Sequence, residues 1–167
     1  MREAWLGGPV EGIDPWLQPA AHGLLQARAD LQNAAKGLSV DQLWARPGGV
    51  ACVAFHVLHV AGATDRLLTY ARGETLNEAQ RAFLSAEKAD DRHPANSLLA
   101  ALDASLERAL SQIRATKGGE LLEPRTVGRD RLPSTVLGLI FHAAEHASRH
   151  AGQATTTAKL LTSGLPR

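Results

Sequence analysis

Leu98, Leu102, Leu106 and Leu110 recur every four residues, with Leu99 and Ile113 beside them. That spacing lays one apolar stripe along several turns of α-helix, and a helix with one apolar side must bury it against other elements. Runs of β-branched residues with period two are absent, and Ala and Leu dominate between breaks rich in Gly and Pro. The chain therefore reads as all-α. Its 167 residues suffice for one domain with a real core.

The breaks place the other elements. Residues 1–13 carry Gly7, Gly8, Pro9 and Gly12 and should form an irregular lead-in packed through Trp5. Asp14-Pro15 is a cap followed by proline at the first helical position, so a helix should run to about Lys36 and close at Gly37. Its expected buried residues are Trp16, Leu17, Ala20, Leu24, Leu31 and Ala35. Ser39 and Gln42 have capping-box spacing for a short turn of helix, which Arg46-Pro47-Gly48-Gly49 breaks. A second long helix should span about Val50 to Arg72, ending at Gly73. Thr75, with Glu78 as its reciprocal cap, should open a piece reaching about Lys88, and Ala89 to His93 reads as a loop. Pro94 to about Thr116 holds the leucine stripe, and Gly118-Gly119 ends it. Residues 120–132 look polar and irregular. Pro133-Ser134-Thr135 should start the last long helix, to about Leu161, with Gly164 and Pro166 beyond. Four long helices with short accessory pieces make a four-helix bundle the simplest architecture, one domain over 1–167 with its core in about 14–161.

Charge and composition narrow the function. The net charge is +1 with 21% charged residues, basic side chains are scattered, and the few aromatics do not interleave with them. That is no nucleic-acid footprint. No signal-peptide pattern and no apolar run of membrane-spanning length is visible, so a soluble cytoplasmic protein is expected. Cys52 is the single cysteine, which rules out an internal disulfide.

The histidines carry the chemistry. His142, His146 and His150 are spaced by four in the last helix, and His56 and His59 lie in the second. Histidines one turn apart on a helix are a common way to hold a transition metal. On a wheel of about 100° per residue, His146 and His150 fall about 20° either side of Leu139, toward the core. His142 lies about 60° off, on the flank of Glu145 and Arg149. In the second helix Asp65, Thr69 and Arg72 mark the wet side, and His59 points nearly opposite, with His56 about 60° away. A lone histidine on an apolar face is usually a hydrogen-bonded core residue; two on consecutive buried turns are better explained by a shared ligand. Arg66 lies close to the His59 direction and is either a paired or snorkelling arginine or an anion clamp. Cys52 is either a small buried residue or a nucleophile or fourth ligand. A di-iron carboxylate site fits less well, because no buried glutamates are visible. Glu145 precedes His146 without forming a zinc-protease motif.

These residues also resemble a known family. His146-Ala-Ser-Arg149-His150-Ala-Gly152-Gln153 is similar to the His-x-x-x-His-x-Gly-Gln pattern near the C-terminus of the DinB/YfiT-like family. Phe55-His56-Val-Leu-His59-Val-Ala-Gly62 is similar to that family's second-helix pattern. The resemblance spans nearly the whole chain. It implies an up-down-down-up four-helix bundle and a divalent metal held by three histidines, here His59, His146 and His150. The metal implied is zinc, nickel, manganese or iron. It further implies a homodimer, a small-molecule substrate and, by analogy with some relatives, a low-molecular-weight thiol such as bacillithiol or mycothiol. One departure is Ala151, which stands where the common pattern has arginine; Arg149 and Arg66 are the available substitutes.

The expected function is metal-dependent activation of a thiol or water for transfer to, or hydrolysis of, a small electrophile. Glu145 and Arg149 are secondary candidates. The competing class is a non-catalytic module, either metal-binding or a metal-free helical scaffold that dimerises. A closed structural zinc site needs a fourth protein ligand, and only His56, Cys52 and His142 are near enough on the wheels to supply one.

Overall fold

The structure, a computed structural model, describes residues 2–163. The expected breaks at Gly164 and Pro166 lie outside the described residues. The fold is mostly helical: α1 (Gln18–Ala35), α2 (Val40–Trp44), α3 (Val53–Ala71), α4 (Glu78–Ala86), α5 (Ala95–Ala115) and α6 (Val136–Thr162), with β1 (Pro124–Val127) and β2 (Leu132–Thr135) between the last two. Both α1 and α3 pack against α5 and against α6. One buried apolar cluster joins them, with Leu24, Leu31, Val57, Leu102, Leu106, Ile113 and Ile140 among its members. Among the described residues, no single helix is long and apolar enough to cross a membrane.

Most helix ends follow the local chemistry. Asp14 accepts the Trp16 N–H, and a 3-10 turn over Pro15–Leu17 leads into α1. Gly37, at φ 76°, supplies the left-handed residue after α1. Ser39 and Gln42 form their reciprocal cap on α2. Elsewhere the expectation shifts. The turn Pro47–Gly49 delays α3 to Val53. Asn77 and Gln80, not Thr75 and Glu78, form the capping box of α4. Gln80 wins because its amide also donates to Asp65 and Thr69 on α3, so a tertiary contact decides between two boxes that are equivalent in sequence.

The stretch expected to be irregular contains the β1–β2 hairpin, antiparallel, with Val127 opposite Leu132 and Pro124 opposite Thr135. Residues 132–135 therefore belong to a strand, and Thr135 caps α6 by accepting the Gly138 N–H. Arg125 donates to the Ala71 carbonyl at 2.8 Å, pinning the hairpin to the end of α3. Backbone N–H groups of Val136 and Leu137 donate to the Glu123 and Leu121 carbonyls, which satisfies part of the first turn of α6.

The lead-in also departs from expectation. Trp5 is 62% exposed and Trp16 76% exposed, so neither packs as anticipated. A polar stripe on α1 holds the segment instead. Gln18 bonds the Val10 N–H and the Val10 and Ile13 carbonyls, His22 contacts the Gly8 carbonyl, and Gln26 accepts the Ala4 N–H. Backbone bonding satisfies this loop and leaves its indoles in solvent.

Candidate metal centre

The centre lies on the seam between α3 and α6. His59 comes from the second turn of α3, and His146 and His150 from consecutive turns of α6. Their spacing by four makes the two α6 rings neighbours, with centroids 4.5 Å apart and planes tilted by 44°, and the His59 ring sits 4.6 Å from that of His150. One ring nitrogen from each of the three histidines lies within 4.8 Å of the others. His59 Nε2 and His146 Nε2 are 3.3 Å apart. Two imidazoles on a tetrahedral ion, at about 2.0–2.1 Å each, have nitrogens separated by roughly 3.3 Å. The donor set is therefore of the right chemistry and close to the right spacing for a divalent ion.

All three are half-buried rather than deep in the core. The wheels had aimed them at its middle. The fully buried stripe of α6 instead runs through Leu139, Ala143, Ala147, Ala151 and Ala154, and the histidines flank it. Packing against both α1 and α3 displaces the buried direction away from the apolar mean of the helix. A centre on that border can be reached from solvent.

Hydrogen bonds settle which nitrogens are free. His59 Nδ1 is 2.8 Å from Glu87 Oε2. A carboxylate only accepts, so His59 donates through Nδ1–H and its Nε2 keeps a lone pair toward His146. His150 Nδ1 lies 2.9 Å from His56 Nδ1, which commits that nitrogen and leaves Nε2 of His150 available. Burial, followed by the neighbouring His59, pushes His56 down to about 4. Burial with His59 and then His142 nearby pushes His146 to about 4, and burial with His59, His146 and His56 pushes His150 to about 3. Near neutral pH these rings are uncharged, the form that ligates a cation. Phe55 stacks on His59 at 5.2 Å with 14° between the planes, covering one side of the ring.

The other candidates separate cleanly. His56 is 3% exposed, more buried than His59, and serves as the partner of His150. His142 is exposed, with Nδ1 3.4 Å from Glu145 Oε2. Glu145 is also paired with Arg149, whose hydrogen bonds hold its carboxyl below the usual range. Cys52 is buried and free. Among the described residues, the group able to hold an ion consists of the three histidines, with no Cys52, His56 or His142 in it. Arg66 is the paired arginine of the two alternatives, bonded to Glu87. A cleft of about 670 Å³ is lined by His56, the partner of His150, and by Arg149, Gln153, Thr156 and Leu160 among others, with none of the three histidines in its wall.

Glu87 is the residue that sequence reasoning missed. It is 3% exposed, bonded to both His59 and Arg66, and it overturns the expectation that no glutamate is buried. It is the residue that closes α4, near the end of the piece expected to reach about Lys88 and just before the polar loop 89–93, where nothing local marks a carboxylate as buried. The available signal was Gly62, a glycine in the middle of an otherwise apolar helix. A Cβ there would lie 2.2 Å from Glu87 Oε1.

The sequence matches the DinB superfamily over residues 24–154, a span that runs from α1 into α6 and takes in all three histidines. The chain belongs to the DinB superfamily. Among solved structures, the crystal structure of a conserved protein from Enterococcus faecalis is similar to this DinB protein, with a TM-score of 0.71 at 17% identity, covering 87% of this chain and 96% of that one. That likeness is one of fold. No curated protein matches the sequence.

Proposed function

We propose that this DinB protein is a metal-dependent enzyme that activates a thiol or water for transfer to, or hydrolysis of, a small electrophile. His59, His146 and His150 would hold one divalent ion of zinc, nickel, manganese or iron. The observation that carries this reading is three half-buried imidazoles converging on one point, with no fourth protein ligand in the group among the described residues, and a cleft that begins at His56 and Arg149 next to them. Structural zinc sites are closed by four protein ligands, whereas catalytic ones keep a position open. When bound, such an ion supplies Lewis-acid chemistry, lowering the pKa of a thiol or water at its open position.

The chain's own residues do the remaining work. Phe55 keeps water off one face of His59. His56 holds a shared proton at Nδ1 against His150. Arg149, Gln153 and Thr156 offer polar groups along the cleft for the electrophile's polar end, and Val50 and Leu160 face its apolar part. The packing of α1 and α3 on α5 and α6 supports an up-down-down-up four-helix bundle in a single domain with its core in about 14–161. A cytoplasmic homodimer using a low-molecular-weight thiol is part of the same reading.

Elemental analysis of the purified protein tests the site. Wild type should carry about one transition metal per chain, and His59→Ala, His146→Ala and His150→Ala should each lose it. Metal that survives all three changes would sink the assignment. A thiol-transfer assay on loaded and stripped protein then separates an enzyme from a non-catalytic module: no turnover with a panel of thiols and electrophiles, nor hydrolysis, favours the module.

A further inference from the structure

We propose that Glu87 is the positioning residue of the histidine centre, and that Gly62 and Arg66 exist to seat it. The inference rests on reading the three histidines as metal ligands. Burying a carboxylate carries a large desolvation cost, and its attraction to a buried partner often only breaks even against an apolar pair. A buried Arg66–Glu87 pair is therefore a poor stability device. Its geometry suits another task. One oxygen, Oε1, takes Arg66 Nη1, and the other, Oε2, takes His59 Nδ1–H at 2.8 Å. A free histidine side chain prefers its proton on Nε2; the carboxylate reverses that preference and leaves Nε2 bare on the side of His146. Carboxylates that accept the second N–H of a ligating histidine fix its tautomer and ring orientation and strengthen it as a ligand.

Gly62 is the independent observation. It lies one turn from His59 inside α3, where glycine is less favourable than alanine. A Cβ at this position would meet Glu87 Oε1 at 2.2 Å, Phe83 Cε1 at 2.6 Å and Arg66 Nη1 at 2.7 Å. Two of these atoms come from outside α3. The gap in the helix surface therefore admits the end of α4 and brings Glu87 to His59.

Glu87→Gln is the sharp test, because it keeps the shape but has one acceptor. Arg66 only donates, so it claims the amide oxygen and turns the NH2 group toward His59 Nδ1. That inverts the tautomer and puts a proton on Nε2. Imidazole nitrogen-15 shifts of the metal-free protein read this directly. His59 should be protonated on Nδ1 in wild type and on Nε2 in Glu87→Gln. Zinc affinity, measured by competition with a chromophoric chelator, should fall about 10–100-fold at unchanged stoichiometry. Gly62→Ala should weaken zinc binding in the same direction although it touches no ligand. A wild-type His59 with a bare Nδ1, a measurement that needs no variant, overturns the proposal. So does a folded Glu87→Gln protein with zinc affinity within twofold of wild type, and the three-histidine reading then still stands. Wild type that binds no zinc or other transition metal ends that reading instead, while the tautomer of the metal-free protein still decides what Glu87 does to His59.

Discussion

α6 presents two different sides to its neighbours. Toward α1 the contact is close and apolar: a Cβ at Gly23 would sit 3.2 Å from Ala144 Cβ, and α1 buries Ala20, Ala21, Leu24, Ala27 and Leu31. Toward α3 the same helix turns His146 and His150, and α3 answers with His56 and His59. The first seam gains stability from excluded water and close packing. The second buries His56 and half-buries three further imidazoles, at a desolvation cost that packing alone does not justify. Small apolar residues mark where this protein is held together, and the polar seam marks where the proposed ion would be held.

The largest expected effect separates the seams outright. His150→Ala should abolish stoichiometric metal binding while costing the stripped protein less stability than a core truncation, since the ring removed is half-buried and His56 Nδ1 is the group left unpaired. A stripped variant that melts well below stripped wild type would make the polar seam structural after all. Leu24→Ala should do the reverse. It removes a fully buried side chain and should cost about 2–5 kcal/mol of unfolding free energy, with metal content unchanged in denaturant titrations and elemental analysis. Loss of the metal in that folded variant would show that the two seams are coupled.

Acid should act on one seam only. His56 and His146 titrate near 4 and His150 near 3 in the folded protein, against 6.5 as ordinary values. Between those limits the unfolded chain binds more protons, so stability falls as pH drops from about 6.5 toward 3 and is flat above it. Denaturant midpoints of the stripped protein, taken at several pH values, should show this slope, and replacing His56 and His150 by apolar residues should flatten it. An unchanged slope would place the acid sensitivity elsewhere. The smallest effect belongs to His142. It is exposed, on the flank beside Glu145, so His142→Ala should leave metal affinity as it is; a clear drop in a chelator competition would promote it to the centre.

The parts of this molecule legible in its sequence are those with a period. The leucine stripe of α5 and the histidine spacing of α6 are local repeats, and both lie where helical geometry puts them. The β1–β2 hairpin has no such signal. Its strands are four residues each, contain proline, and are held by Arg125 reaching the end of α3. Glu87 was illegible for a related reason: its burial depends on a gap at Gly62 on a different helix. Trp16 shows the converse. An aromatic residue next to a helix start reads as core, yet the lead-in is fastened through Gln18, His22 and Gln26, and the indole stays outside.

The way the centre divides between two helices has a consequence for folding. His146 and His150 become neighbours as soon as one turn of α6 forms, an event of local order. His59 is 87 residues away from His146 in the chain, and such distant pairings close late because the intervening loop must first lose its freedom. On the proposed reading, a nascent chain would offer an ion only two rings, and the third would arrive with the finished α3–α6 contact. Full affinity would then be a property of the completed fold, and metal uptake would report on whether the protein has finished folding.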